Sequence, residues 1–169
     1  MGFFDMFKKS KQEDIASVKN KGIVSPTNGE ILDISVVPDE VFSQKMMGDG
    51  FAVKSSDGNI VSPINGSVEM VFETKHAIGL KSNDGMEMLI HLGIDTVNLK
   101  GEGFTTFVKA GDKVKAGDKL IQMDVDFIKN NAKSDISPVI FTNLKENESI
   151  KVVTGKVSVL EENRIEICK

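Results

Sequence analysis

An all-β fold, a compact antiparallel sandwich or closed barrel with short helical segments, is predicted by two observations. Short apolar or alternating runs recur along nearly all of the 169 residues, and glycine-rich turn signals separate them. Strands spaced about 8–12 residues apart with such turns between them are the signature of sandwiches and barrels. A chain of this length can bury about 70% of its unfolded surface, so one domain can hold a core without metal or disulfide staples.

In order, the expected strands are 22–25, 30–37, 51–55, 59–62, 67–73, 76–81, 87–92, 104–108, 119–124, 139–142, 150–153 and 156–160. The corners between the early strands are Thr27-Asn28-Gly29, Gly48-Asp49-Gly50, Ser56-Asp57-Gly58, Asn65-Gly66 and Asn83-Asp84-Gly85. Helix is expected only in the first turns of the chain and over 124–133. One repeat interrupts the pattern: Val108-Lys-Ala-Gly-Asp-Lys is followed at once by Val114-Lys-Ala-Gly-Asp-Lys. Each copy offers a Gly-Asp turn between apolar positions. A carrier domain with a lipoyl or biotinyl lysine would need that lysine at a hairpin tip beside methionine or aspartate, and no such tip occurs, so the repeat reads as structural.

The charge balance narrows the function. A net charge of −4, with 27% charged residues of both signs, argues against nucleic acid as a partner, which would want a basic face. Arg164 is the single arginine, so no bidentate phosphate clamp is visible. Cys168 has no cysteine partner for an internal disulfide, and no apolar run has membrane-spanning length, so a cytoplasmic protein is expected.

Both histidines of the chain, His76 and His91, lie at or within strand-like runs, with fourteen residues between them. A hairpin would set the two imidazoles side by side. Imidazole titrates near neutrality, so such a pair can shuttle protons, bind a metal or act as a nitrogen nucleophile. It can equally be two unrelated histidines on a sheet. Alternation puts Glu87, Leu89 and His91 on one face and Met88, Ile90 and Leu92 on the core face. In the preceding run Val68, Met70, Phe72, Thr74 and His76 share a face if the strand stays regular, which brings the Thr74 hydroxyl near the histidines. Upstream, Val41, Phe42, Met46 and Met47 are flanked by Asp39, Glu40 and Asp49. They read either as an exposed, acid-rimmed docking surface or as core.

These residues carry a family resemblance. GEILDISVVPDEVFSQKMMGDGFAVK, SPINGSVEMVFETKHAIGL, HLGIDTVNLKGEGF and VKAGDKL stand in the order of the glucose-type IIA component of the bacterial phosphoenolpyruvate-dependent sugar phosphotransferase system, which the chain resembles from Gly22 to its end. TKHA combined with H-x-G-x-D-T-V is the specific part. The resemblance implies an antiparallel β-sandwich and a phosphotransferase component with a phosphohistidine intermediate. His91 matches the phosphorylated residue, His76 its partner, and Thr74 the hydroxyl supporting His76. Phe42, Met46, Met47, Phe72, Leu89, Asp95 and Val97 fall on the docking surface. Leu89 and Leu92 stand where some members have phenylalanine.

The partners so implied are the histidine-containing phosphocarrier protein as donor and the IIB domain of a sugar transporter as acceptor. Regulated metabolic enzymes or permeases are further candidates, through the same surface. No cofactor is required, although His76 and His91 could hold zinc in complex with a partner that adds a carboxylate. Two other readings are weighed beside this one. His91-Leu-Gly-Ile-Asp95 has the H-x-x-x-D form of a zinc-dependent hydrolase of related β architecture, but His76 is then the only histidine left for its remaining roles. A purely regulatory binding module is the other.

The N-terminus reads as a separate unit, a mobile amphipathic tail and linker over 1–18, before a carrier domain over 19–169. Phe3, Phe4, Met6 and Phe7 precede Lys8, Lys9 and Lys11, which suits weak contact with an anionic membrane, and in related proteins the segment becomes helical there. A myristoylation motif fails because position 6 is methionine.

Overall fold

The computed structural model describes residues 22–169. The tail over 1–18 therefore lies outside the described residues. Among the described residues, thirteen strands form three antiparallel sheets. The largest has eight strands in the order β12-β1-β2-β10-β6-β5-β4-β8: β1 is Gly29–Asp33, β2 Gly50–Ser55, β4 Gly66–Val71, β5 Ala77–Ser82, β6 Glu87–His91, β8 Lys113–Val114, β10 Ser137–Phe141 and β12 Gly155–Val157. A three-stranded sheet runs β3 (Asn59–Val61), β9 (Lys119–Met123), β7 (Phe104–Thr106), and β11 (Ser149–Val152) pairs with β13 (Ile165–Cys168).

The main core lies between the eight- and three-stranded sheets. Phe51, Val53, Ile78, Leu80, Met88 and Ile90 of the first meet Ile60, Leu120, Ile121 and Met123 of the second, all buried. Strands β2 and β10 are covered on both faces. Their Ala52 and Ile140 point away from the main core into a smaller cluster with Ile34, Val37, Phe42 and Ile94. That second cluster roofs the sheet beside the histidines.

Departures from the expected strands have local causes. Residues 22–25 contribute an isolated bridge, Ile23 to Ile165. The run 30–37 stops at Asp33, whose carboxylate accepts the Ser35 N–H at 3.0 Å and starts the 3-10 turn Ile34–Val36. The first helix among the described residues, α1, is a single turn, Glu40–Ser43, capped by Asp39 through the Val41 N–H at 2.9 Å. The second, α2 (Val125–Asn131), falls in the expected place, with Asp124 accepting the Phe127 N–H. The repeat builds two matching corners: Asp112 accepts the Lys109 N–H at 3.0 Å and Asp118 that of Lys115 at 2.9 Å. The first corner leads into β8 and the second into β9, which confirms its structural role.

Candidate active site

Strands β5 and β6 bring the histidines together through backbone register. His91 ends β6 and pairs with Ala77, the first residue of β5, so His76 lies just before its own strand. The Leu92 N–H donates to the His76 carbonyl at 2.7 Å and keeps the ladder closed at this point. The imidazole centroids are 5.0 Å apart, with the rings at 78°. Fourteen intervening residues do form the expected hairpin.

Each Nδ1 is already engaged. His91 Nδ1 lies 2.8 Å from the Gly93 carbonyl oxygen. A carbonyl can only accept, so the ring proton sits on Nδ1 and the neutral ring keeps its lone pair on Nε2. His76 Nδ1 lies 2.6 Å from the Thr74 hydroxyl, which can donate or accept. Thr74 reaches it from the turn 72–77, where the Lys75 N–H donates to the Phe72 carbonyl and the Phe72 N–H to that of Ala77.

Aromatic rings wall the pair. Phe42 stacks obliquely on His91, with centroids 5.0 Å apart, and Phe72 meets His76 edge-on at 5.3 Å. His76 is buried at 5% exposure, while His91 is half-buried and so open to an incoming group. Burial holds both imidazoles below the ordinary histidine range, because the charged ring loses hydration. The neighbouring His91 adds to this effect on His76, against a hydrogen bond to the Thr74 backbone. At His91 the Gly93 hydrogen bond and the charges of Asp39 and Asp95 oppose the burial. Both rings are thus held neutral near pH 7.

The expected face along 67–73 is not regular. A bulge between Val68 and Met70 switches the alternation, so Val68 is buried at 2% exposure and Met70 is 48% exposed. Thr74 and His76 belong to the turn beyond β4, and it is this turn that unites them. Phe42 also departs from the exposed docking reading: its ring is in the smaller core cluster, against His91. Met46, Met47 and Val97 are exposed, at 71%, 44% and 49%, while Phe72 and Leu89 are half-buried and Asp95 is exposed. Asp49 does not belong to an acidic rim. Its two oxygens take the Gly50 and Ile150 N–H groups, and Lys45 pairs with it at 3.4 Å.

The sequence reading missed Gly93. Its φ of +72° is left-handed, and a Cβ there would meet Thr96 Cγ2 at 2.7 Å and the Ser134 carbonyl oxygen at 2.8 Å. The signal was the Gly of the H-x-G step, which puts a carbonyl free of strand pairing beside the imidazole. Among the described residues no group of three or more His, Cys, Asp or Glu side chains could hold a metal ion. That leaves the His76 and His91 pair with two donors of its own, so a zinc ion there would need ligands from a partner. It also removes the zinc-hydrolase reading, because Asp95 and the histidines do not converge.

A β-sandwich presenting a neutral imidazole nitrogen beside aromatic rings is a protein suited to carrying a transferable group on that nitrogen. The comparisons agree. A family described as the phosphoenolpyruvate-dependent sugar phosphotransferase system, EIIA 1, matches residues 21–147. The glucose-specific EIIA component of Staphylococcus epidermidis is 48% identical over 165 residues, covering 94% of this chain and 97% of its own length. That of Halalkalibacterium halodurans is 50% identical over 143 residues, covering 85% and 82%. The structure of glucose permease IIA from Mycoplasma capricolum superposes with a TM-score of 0.80 at 38% identity, covering 85% of this chain and 93% of that one. The chain belongs to this EIIA family. It is a phosphotransferase component, a phosphocarrier that passes phosphate to a IIB domain.

Proposed function

We propose that His91 accepts the phosphoryl group on Nε2 from the histidine-containing phosphocarrier protein and passes it to the IIB domain of a glucose-type transporter. The observation that carries this reading is the His91 Nδ1–H bond to the Gly93 carbonyl, which leaves Nε2 as the nucleophilic nitrogen. In uptake the Nε2 lone pair forms a bond to phosphorus while the donor's phosphorus–nitrogen bond breaks, its electrons returning to the donor ring. Release is the same step reversed onto the acceptor's nucleophile. Such a transition state is loose and charge-spread, so the protein contributes positioning and charge stabilisation.

His76 supplies the stabilisation. With the Thr74 hydroxyl donating to Nδ1, the His76 ring carries its proton on Nε2, free to donate to a phosphoryl oxygen. Phe42 and Phe72 exclude water from the intermediate. The exposed Met46, Met47 and Val97, with Asp95, form the docking face for donor and acceptor, and the same face would serve any regulated enzyme or permease.

The carrier unit spans 19–169 and works in the cytoplasm, with the tail 1–18 as a weak anchor to anionic lipid. Zinc fits only in part: with the Thr74 hydroxyl instead accepting from His76 Nδ1–H, the pair offers two Nε2 donors of the usual four ligands, so a partner's carboxylate would have to join them.

The test is incubation with phosphoenolpyruvate and the general relay proteins, followed by mapping of acid-labile phosphate. The wild type should carry it on His91. His91→Ala should take up none, and His76→Gln should take it up but pass it slowly to IIB. Phosphate retained by His91→Ala would overturn the assignment.

A further inference from the structure

Two buried hydroxyls outside the histidine pair hold the loop that fixes the nucleophile. The Thr96 hydroxyl donates to the Leu92 carbonyl at 2.7 Å. The Gly93 N–H, on the other side of the same peptide unit, donates to the Ser137 hydroxyl at 3.1 Å. The next peptide unit is held in the same way: its N–H, on Ile94, donates to the Ser134 carbonyl at 2.9 Å, and its carbonyl, on Gly93, receives His91 Nδ1–H. Two successive peptide units are thus bonded at both ends.

Thr96 and Ser137 are both fully buried, from different parts of the chain: Thr96 opens the 3-10 turn Thr96–Leu99 and Ser137 opens β10. Ser137 in turn donates to the Asp135 carbonyl at 3.1 Å, which leaves its oxygen lone pairs for Gly93. Polar groups buried this deeply usually serve the fold alone. These two converge on one peptide unit, that joining Leu92 to Gly93, between His91 and its own acceptor.

We infer that Thr96 and Ser137 are positioning residues for phosphoryl transfer, holding the Gly93 carbonyl where it keeps the His91 proton on Nδ1 and the lone pair on Nε2. Neither touches the phosphoryl group. They act through backbone, so their loss lets the Gly93 carbonyl swing and the imidazole exchange tautomers. The inference rests on the reading of His91 as the phosphoryl acceptor.

The test uses the full chain labelled with ¹⁵N-histidine, in wild type and in Ser137→Ala, Ser137→Thr, Thr96→Val and Thr96→Ser. Two-dimensional ¹H–¹⁵N spectra of the unphosphorylated protein at pH 8 report the tautomer of His91 directly. The wild type should show one form, protonated on Nδ1. Ser137→Ala and Thr96→Val should show a mixture, and single-turnover uptake at saturating donor should slow about tenfold, the rate equivalent of one buried hydrogen bond. The half-saturating donor concentration should stay put, since the docking face is untouched. Ser137→Thr and Thr96→Ser, which keep a hydroxyl, should restore both the tautomer and the rate. If one truncation fails to fold, the other carries the test from the opposite side of the peptide unit.

An unchanged tautomer in a folded truncation, or a rate within twofold of wild type, would overturn the inference. Wild-type phosphate mapping to a residue other than His91 would instead overturn the underlying reading, and the tautomer spectra would remain interpretable.

Discussion

Gly93→Ala strikes the loop at its narrowest point, and its cost can be built from two parts. At φ +72° an alanine occupies the left-handed region, at roughly 1–2 kcal/mol. The new Cβ would also lie 2.7 Å from Thr96 Cγ2, 2.8 Å from the Ser134 carbonyl oxygen and 3.3 Å from Ile128 Cγ2. The carbonyl is backbone and Ile128 is fully buried, so little can give, and overpacking of this kind adds roughly 1–3 kcal/mol. The sum is about 2–5 kcal/mol, or a fall in Tm of roughly 4–20 °C for a chain of this size. Gly111→Ala separates the parts: its φ is +95° with nothing within 4 Å, so it bears the conformational cost alone. Urea unfolding of both variants measures the difference. Phosphate uptake by Gly93→Ala, at a temperature where it stays folded, should fall at least tenfold, because relieving the clash moves the carbonyl that orients His91. A destabilisation equal to that of Gly111→Ala, with uptake near wild type, would refute the reasoning.

The remaining predictions concern protonation, the aromatic wall and the tail. Both histidines are held below their ordinary range, and only the neutral ring is a nucleophile, so uptake should fall to half its plateau only below pH 6.5; a half-point above pH 6.5 in the rate profile would contradict it. By the same sign the unfolded chain takes up protons first, so stability should decline as pH drops below about 6.5, which urea midpoints across pH will show. Phe42→Ala removes a buried ring from the smaller core and should cost about 3–5 kcal/mol. It should also admit water to His91, shortening the lifetime of the phosphorylated protein at pH 8 in a hydrolysis time course. Deleting residues 1–17 should leave uptake from the soluble donor unchanged and slow only transfer to a membrane-embedded acceptor; loss of uptake would place the tail within the fold.

The sheet was legible because its signals are local. Alternation along 87–92 separates Met88, Ile90 and Leu92, all buried, from the outward His91, and the turn dipeptides mark the corners. What escaped depended on contacts far apart in sequence. The bulge between Val68 and Met70 leaves no mark in the residues themselves, and it undid the face expected for 67–73. Phe42 looks like any exposed aromatic until Ile94 and Ile140, some fifty and a hundred positions on, close over it. β13, near the C-terminus, is not among the expected strands and gains its order by pairing with β11. Of the site, the residues with distinctive side chains, His76, His91 and Thr74, were visible. The backbone carbonyl of Gly93 and the Ser137 hydroxyl that anchors it were not, because their role is set by how β10 pairs beside β6.

Under the proposed function, the geometry also gives the second histidine a part of its own although only one would carry the group. A phosphoryl on His91 Nε2 would bring negative charge between the rings of Phe42 and Phe72, with Asp39 and Asp95 nearby. Unopposed, that charge would be costly in so little water. A fixed cation such as arginine would offset it, but would also bind the phosphoryl group tightly and stall its release. His76 avoids both extremes. Before phosphorylation it is neutral, held there by burial and by its neighbour. An incoming phosphoryl group favours its protonated form, so positive charge would arise as the negative charge arrives and leave with it. A carrier that must both accept and surrender its cargo needs that kind of responsive partner, and an imidazole 5.0 Å away supplies it.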